Sequence, residues 1–366
     1  MRSDDGAAAT LVVVLLALGS LLGLGAVVVD YGSVMAERRQ LQNGADAASL
    51  AVARDCATNP GCSTASSAAA PWVASNQTSA DLSGTASVYN VCKGTTSSFP
   101  CSTPAGGGAL TSCLAPPAGL SSRWTGYVEV RTQTDVVPPL MGQILGSPGK
   151  SAAACARAAW GPVGSLEAVF PIAISACEYS YFRRSGALAP GPVYDSSNPR
   201  PSSREVSVIL KTPDNANVPG SCPASPPGGD RPGGFGYIDI DGSCTSQIDA
   251  GGNVGADPGS SVPNPCDARV RNALESVIWI PVYDSVIGTG NTAEYHVAGF
   301  AGFYLSGYRL QSGISNDNGD THNQCASGGG NGTLRCLFGW FVGGTPPGGS
   351  IGPGTDFGAR AVQLAG

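Results

Sequence analysis

A long uncharged apolar stretch near the start of the chain constrains the fold more than any other feature. Residues Ala7 to Val29 include no charged side chain, and as an α-helix rising about 1.5 Å per residue they would span roughly 34 Å. The hydrocarbon core of a bilayer is about 30 Å thick. Because a cleaved signal peptide has a shorter apolar core, of about 7 to 15 residues, the stretch predicts a retained transmembrane helix.

The flanking charges leave the orientation of this helix open. Arg2 precedes it and Arg38 and Arg39 follow it, so the positive-inside rule gives no clear answer. All twelve cysteines lie after the stretch and none forms a CxxC pair, which is typical of disulfides in an oxidising compartment. We therefore expect a single-pass protein of the cell membrane, with a cytoplasmic N-terminus and an extracellular C-terminal region.

Two glycines within the stretch have the spacing of a helix-pairing motif. Gly19 and Gly23 form GxxxG, which lets two transmembrane helices approach closely. Glycine is also common in transmembrane helices that do not pair in this way. Self-association through this face is therefore a hypothesis that stands beside ordinary membrane anchoring.

The helical pattern continues beyond the apolar stretch. No proline occurs between Asp30 and Asn59, and apolar residues recur at helical spacings at Val34, Leu41, Ala45, Ala48 and Val52. Asn43-Gly44 would usually indicate a turn, but a glycine inside a helix costs only about 1 kcal/mol. The pattern predicts one helix from about Ala7 to Asp55.

The remaining sequence predicts shorter elements. Charged residues are 13% of the chain, against about 25% in a typical domain, while 52 glycines and 28 prolines favour a loop-rich, mainly β structure. We expect a short helix in the segment formed by Cys62, the Ser/Ala-rich run and Pro71–Asn76, with Pro71 as a candidate start, a loop over 94–121 and a short helix over Leu140–Leu145. The segments with a strand pattern are Tyr127–Arg131, Ser151–Trp160, Val206–Leu210, Phe235–Ile240, Val277–Tyr283, His296–Leu305, Leu337–Val342 and Ala361–Leu364.

The predicted fold class is α+β. It combines a single transmembrane helix that continues into a long extracytoplasmic helix, a small α+β domain, and a mainly β, loop-rich, disulfide-containing domain. The predicted divisions are a cytoplasmic tail (1–6), the transmembrane helix (7–29), the small domain (30–164) and the mainly β domain (165–366).

The segment LGLGAVVVDYGSVMAERRQLQNGADAASLAVA resembles the N-terminal signature of TadG-like proteins of the Flp (tight adherence) pilus-assembly system. The resemblance extends over about residues 5–178 and is most specific at Asp30, Arg38, Leu41, Gln42, Asp46 and Ala47. The lysine-poor composition resembles actinobacterial members. The resemblance implies a non-enzymatic membrane protein whose partners are pilins or other assembly proteins.

Catalytic and cofactor-binding patterns are not found in the sequence. A net charge of −6 with three lysines gives no basic surface for nucleic acid. There is no GxSxG motif, and Ile144 occupies the first glycine position of a P-loop in GQILGSPGKS. We predict no catalytic, cofactor-binding or metal-binding residues, and we interpret His296 as an ordinary strand histidine. The turns around Asp241 and over 316–320 are rich in oxygen ligands, but they lack the spacing of a calcium loop.

Proximity in the sequence suggests a disulfide pattern. We expect Cys56 to pair with Cys62 and Cys325 with Cys336, and two bridges to form among Cys92, Cys101, Cys113 and Cys155. Two more would form among Cys177, Cys222, Cys244 and Cys266, with Cys244–Cys266 favoured because residues 251–263 are a flexible loop. Some of these cysteines would instead be buried free thiols if they pack as small apolar residues.

Three functions remain in competition. The resemblance favours a non-enzymatic component of pilus assembly or secretion at the cell envelope. The alternative is a surface adhesion or ligand-binding protein that shares the anchor, and a hydrolase that uses acidic residues is a third hypothesis.

Overall fold

The computed structural model describes residues 5–59, 61–63, 66–76, 86–94, 113–116, 118–119, 122–134, 149, 151–168, 170–184, 205–211, 236–257, 261–263, 266–311, 314–316 and 335–366. Four α-helices form in these residues: α1 (Asp5–Thr58), α2 (Ser66–Ser75), α3 (Ala176–Arg184) and α4 (Asp267–Asn272). The fifteen strands of the described residues are β1 (Ala86–Gly94), β2 (Gly126–Thr134), β3 (Ala153–Ala168), β4 (Ile174–Ser175), β5 (Val206–Lys211), β6 (Tyr237–Ile238), β7 (Ser246–Asp249), β8 (Asn253–Asp257), β9 (Ser276–Ile287), β10 (Glu294–Gln311), β11 (Ile314–Asn316), β12 (Arg335–Val342), β13 (Ser350–Ile351), β14 (Thr355–Asp356) and β15 (Arg360–Leu364). The predicted α+β class is confirmed.

The first helix dominates the N-terminal region. Helix α1 has 54 residues, which corresponds to a length of about 81 Å. It passes through Asn43-Gly44 without a break, so the predicted continuous helix is confirmed.

Helix α2 lies within the segment where the sequence predicted a short helix. It starts at Ser66 and includes Pro71 in its interior, so the proline is not the start of the helix. The proline removes one N–H donor, while Ala69 and Val73 of the same helix are buried in a cluster with residues of α1. Packing on α1 thus outweighs the unfavourable local residue.

The first sheet supports α1. Strands β1, β2 and β3 are successive antiparallel neighbours, β15 pairs with β3 on the edge opposite β2, and β13 and β7 pair with the later residues of β3. Alternate residues of β2 and β3 face α1, including Val128, Val130 and Ala158. The helix therefore lies against a sheet to which the last strand of the described chain contributes.

The second sheet contains most of the remaining strands, in the central order β4-β9-β10-β12-β5. Its core includes Phe303, Leu305 and Phe341, all of which are buried. Helix α3 begins with a capping box, because Ser175 and Glu178 each accept a hydrogen bond from the other's backbone N–H. The predicted strands of this half agree with β5, β6, β9, β10, β12 and β15.

Strand β3 runs across the division predicted at residues 164 and 165. A Cβ atom built on Gly164 would lie 2.4 Å from Cα of Gly352, so the two backbones are in close contact there. Strands β7, β13 and β15 from the second half pair with β3. The division stays a prediction, and any separation of the halves would have to break these strand pairs.

Three disulfides lie wholly within the described residues. Cys56–Cys62 and Cys244–Cys266 agree with the predicted pairs, and Cys113–Cys155 agrees with one bridge of the predicted set of four. Residues 253–257 of the predicted flexible loop form β8, so the chain between Cys244 and Cys266 is more ordered than expected. Cys92, Cys177 and Cys336 are also disulfide-bonded, whereas Cys101, Cys222 and Cys325 lie outside the described residues, as does the helix predicted at Leu140–Leu145.

Candidate membrane anchor and its docking site

The outer half of α1, defined here as residues 10–31, exposes apolar side chains on every side of the helix. Leu11, Leu16 and Val28 are 61%, 69% and 71% exposed, and successive residues from Leu11 to Leu16 are all exposed. Leaving one large aliphatic side chain in water rather than burying it costs about 1.5–3 kcal/mol. Within the described residues, α1 is the one helix that is long and apolar enough to cross a membrane.

The inner half of α1, defined here as residues 37–58, is buried on one side only. Leu41, Ala45, Ala48 and Val52 are at most 4% exposed, and they belong to the predicted apolar stripe. Their mostly small side chains let the helix approach β2 and β3 closely. The same helix is therefore apolar on all faces in one half and docked on a sheet in the other.

Polar contacts fix the register of the inner half on the sheet. Gln42 donates from Nε2 to the carbonyl oxygen of Cys155 at 3.1 Å and to Asp46 Oδ1 at 2.8 Å. Thr132 of β2 donates from Oγ1 to the carbonyl oxygen of Leu41 at 3.2 Å. Leu41, Gln42 and Asp46 are among the residues that carried the resemblance; Leu41 and Gln42 join the helix to its sheet, and Asp46 holds the Gln42 amide.

Gly44 lies where α1 and α2 approach each other closely. A Cβ atom at this position would lie 3.3 Å from Cα and 3.5 Å from the carbonyl oxygen of Val73. Contacts at 3.0–3.4 Å are tighter than most real Cβ contacts, so a side chain here would push α2 outward. The glycine that suggested a turn in the sequence is therefore a packing residue.

The C-terminal end of α1 is held by strand β15. Arg360 of β15 donates from Nη1 to the carbonyl oxygen of Ala57 at 2.5 Å and from Nε to Asp356 Oδ2 at 2.9 Å. The last carbonyl groups of a helix have no partner within the helix, and the helix dipole favours a cation there. Arg360 thus caps α1, and Cys56–Cys62 closes the turn that follows.

The sheet face opposite α1 is charged yet buried. Glu129, Arg131 and Arg157 are 3%, 3% and 5% exposed. Arg157 donates to Glu129 Oε1 from Nε at 2.9 Å and from Nη2 at 2.6 Å, and Arg131 lies 3.3 Å from Glu129 Oε2. Glu129 also forms, with Cys113 and Cys155, a group of ligand-type atoms within 4.8 Å of one another. The two sulfurs are joined in a disulfide and the carboxylate is bonded to arginines, so all three groups already have partners within the protein.

Gly19 and Gly23 lie on an open surface of the outer half. No atom comes within 4 Å of a Cβ built at either position. The surface is accessible to a second helix, and self-association through it stays a prediction.

The structure brings together two polar residues that the sequence analysis did not connect. His296 Nδ1 lies 2.7 Å from Asp284 Oδ1, with side chains 36% and 49% exposed. Ser285 donates to the same carboxylate oxygen at 3.1 Å, so its hydroxyl is directed at Asp284 and not at the imidazole. The antiparallel register of β9 and β10, which places His296 opposite Ser285, was the signal that could have predicted this contact.

Asp241 uses its carboxylate to close a turn. Backbone N–H groups of Thr245 and Ser243 and the Thr245 hydroxyl donate to it, and these hydrogen bonds, chiefly from Thr245, lower the pKa of the Asp241 carboxyl. Its oxygens thus serve the turn next to the Cys244–Cys266 bridge. Of the second oxygen-rich turn, only Asn316 lies within the described residues.

Comparison with known proteins gives a match to a protein family. Residues 6–55 match the family model described as putative Flp pilus-assembly TadE/G-like. This range begins just before the apolar outer half and ends within the docked inner half of α1. No curated protein and no solved structure matches the chain.

Proposed function

We propose that this chain, whose residues 6–55 form a TadE/G-like segment, is a non-enzymatic, membrane-anchored component of Flp-type pilus assembly or secretion. In this proposal, residues 1–6 lie in the cytoplasm and the outer half of α1 (residues 10–31) crosses the cell membrane. Both sheets then lie on the extracellular side. Pilins or other assembly proteins are the partners.

The observation that carries the proposal is the continuity of α1. The family match, the exposed apolar half and the docked half all lie on one unbroken helix. A flexible linker between anchor and domain would let the domain rotate freely, whereas a continuous helix fixes its height and tilt relative to the anchor. Fixed placement suits a protein that must meet other membrane-anchored subunits in a defined geometry.

Undocking the inner half tests this proposal. Ala48 is fully buried against the sheet, so Ala48→Glu places an unpaired charge in an apolar cluster, which is strongly destabilising. Asn43 is exposed on the same half, which makes Asn43→Glu the matched control. In cells that carry the Flp pilus genes, we expect the Ala48 variant to lose pili although anchored protein is still found in the membrane fraction, and the Asn43 variant to keep them.

The adhesion hypothesis predicts a different outcome. If the protein were a surface adhesin, the Ala48 variant would reduce attachment while pili remained intact under the electron microscope. That result would reject the assembly function.

Helix pairing is a further part of the proposal. Replacing Gly19 and Gly23 together by leucine should reduce cross-linked dimers in the membrane, because the close approach is lost. Gly25 lies on a different face of the helix and is equally open, so Gly25→Leu is the control. Equal dimer yields in all three proteins would remove pairing from the proposal.

A further inference from the structure

A short segment without regular secondary structure crosses the charged face of the first sheet. It comprises residues 113–116, here called the strap. The disulfide Cys113–Cys155 joins its first residue to β3. Side chains alternate between the two faces of a strand, so Cys155 and Arg157 lie on the face opposite Ala158, which packs on α1.

The strap lies directly over the end of β15. Arg157 Nη1 donates to the carbonyl oxygen of Leu114 at 2.9 Å and to that of Ala365 at 3.5 Å. A Cβ built on Gly366 would lie 2.4 Å from the Leu114 oxygen and 3.2 Å from the Ala115 oxygen. The backbones of the strap and of residues 365–366 are therefore in contact, with Ala365 completely buried.

The strap gains little from burial of its own side chains. Leu114 is 76% exposed and Ala115 is also exposed. Within the part of the chain that the structure describes, the disulfide and the hydrogen bond from Arg157 hold it. A disulfide stabilises mainly by restricting the conformations of the unfolded chain. The bridge is therefore the dominant restraint on this segment.

Strand β15 in turn contacts the anchor helix. Val362 packs against the cluster formed by the inner half of α1, and Arg360 caps the helix at Ala57. A physical series of contacts therefore leads from the disulfide through the strap and β15 to α1.

We propose that Cys113–Cys155 is a redox-dependent latch that, when oxidised, holds the strap over β15 and so keeps the end of α1 docked. Cys113 is only half-buried, whereas Cys155 is 6% exposed, so an incoming thiolate meets the Cys113 sulfur. A dithiol reductant attacks Cys113 Sγ, and Cys155 leaves as a thiolate. The second thiol of the reductant then resolves the mixed disulfide. The net reaction transfers two electrons and two protons to the protein, giving two cysteine thiols and one oxidised reductant.

The other two described bridges differ from the latch. Cys56–Cys62 closes a short turn at the end of α1, and Cys244–Cys266 has both residues at most 1% exposed. Neither lies over β15. The latch is independent of the proposed role in pilus assembly, because it concerns how the fold holds its last strand.

The test uses hydrogen exchange on the full-length protein in detergent micelles. In the variant with Cys113→Ser and Cys155→Ser, we expect the amides of residues 361–366 to exchange about tenfold faster or more, as a local opening would give. Residues 52–58 of α1 should exchange faster as well, while β9 and β10 should not change. The control variant, with Cys244→Ser and Cys266→Ser, should leave residues 361–366 at the wild-type rate.

A second measurement tests the redox step on the wild-type protein. During titration with dithiothreitol, mass spectrometry should show that Cys113–Cys155 opens before Cys244–Cys266, together with faster exchange at residues 361–366. The latch is rejected if residues 361–366 keep their wild-type exchange in the Cys113/Cys155 variant. It is also rejected if β9 and β10 open to the same extent, or if Cys113–Cys155 is reduced after Cys244–Cys266.

Discussion

Arg360 donates a hydrogen bond to the carbonyl oxygen of Ala57 across 303 positions of the chain. The contact joins the end of α1 to strand β15, which also pairs with β3. The docking site of α1 is therefore complete only when the last strand of the described chain is in place. This relation makes the helix and the second half of the chain interdependent.

Arg360→Ala should destabilise the fold by about 1–3 kcal/mol, because it removes a charge-assisted hydrogen bond to a helix end and the partly exposed pair with Asp356. Chemical unfolding in detergent micelles would measure the loss. Arg54 is exposed on the same helix, and Arg54→Ala should change the free energy of unfolding by less than about 0.5 kcal/mol. Equal effects of the two substitutions would contradict the capping role.

Gly44 and Gly32 allow a packed and an open glycine of the same helix to be compared. Gly44→Leu forces a large side chain against Val73 and should destabilise by about 1–3 kcal/mol. Gly32 has no atom within 4 Å of its Cβ position, so Gly32→Ala should be neutral or stabilise by up to about 1 kcal/mol through helix propensity. Thermal unfolding of both variants would check this, and a harmless Gly44→Leu would mean that α2 does not pack tightly on α1.

Tyr237 should make the fold sensitive to alkali. Burial, which disfavours the phenolate, raises the pKa of Tyr237 to about 12 from the ordinary value of 10.0. A raised folded-state pKa gives stability that is fully present below pH 10 and is lost as the pH rises through 12. Two pKa units correspond to about 2.7 kcal/mol.

Unfolding measured from pH 7 to 12 would test this effect. Tyr237→Phe should lose less stability than the wild type above pH 10, and the two proteins should follow parallel curves between pH 7 and 9. Identical slopes above pH 10 would show that this phenol is not responsible.

His296→Ala should leave pilus formation intact, although it breaks the contact with Asp284. Exposed ion pairs contribute at most about 1 kcal/mol, and within the described residues no nucleophile is directed at the imidazole. Asp284→Ala should behave in the same way when pili are counted under the electron microscope. Loss of pili in both variants, with unchanged protein levels, would overturn the prediction that the protein is not an enzyme.

The sequence predicted the elements whose pattern is local. Helix α1 carries an apolar stripe at helical spacing, and β2 and β9 carry runs of β-branched and aromatic residues, so each was placed correctly. Pro71 misled the prediction of α2 because its local effect is overridden by packing of Val73 on α1. Local patterns thus predicted the long helix and several of the longer strands, but not strand β1 or the exact ends of the elements.

Contacts between distant segments could not be predicted in the same way. Nothing in the sequence around Arg360 indicates that it meets Ala57, and the short strands β7 and β13 are too brief to show alternation. The pairing of β15 with β3 depends on which edge is left open after β2 has paired. The choice of pairing partner depends on the whole fold, so neither the sequence of β15 nor that of β3 indicates it.

Membrane topology gives the last prediction. The bridges Cys56–Cys62, Cys113–Cys155 and Cys244–Cys266 form where the environment is oxidising, and all lie after the outer half of α1. A reporter enzyme that needs disulfides should therefore be active when fused after Gly366 and inactive when fused after Gly6, before the apolar segment. A cytoplasm-specific reporter should show the opposite pattern. Activity of the cytoplasmic reporter after Gly366 would place the sheets inside the cell and reject the proposed orientation, since the two halves of α1 lie on one continuous helix and cannot reverse separately.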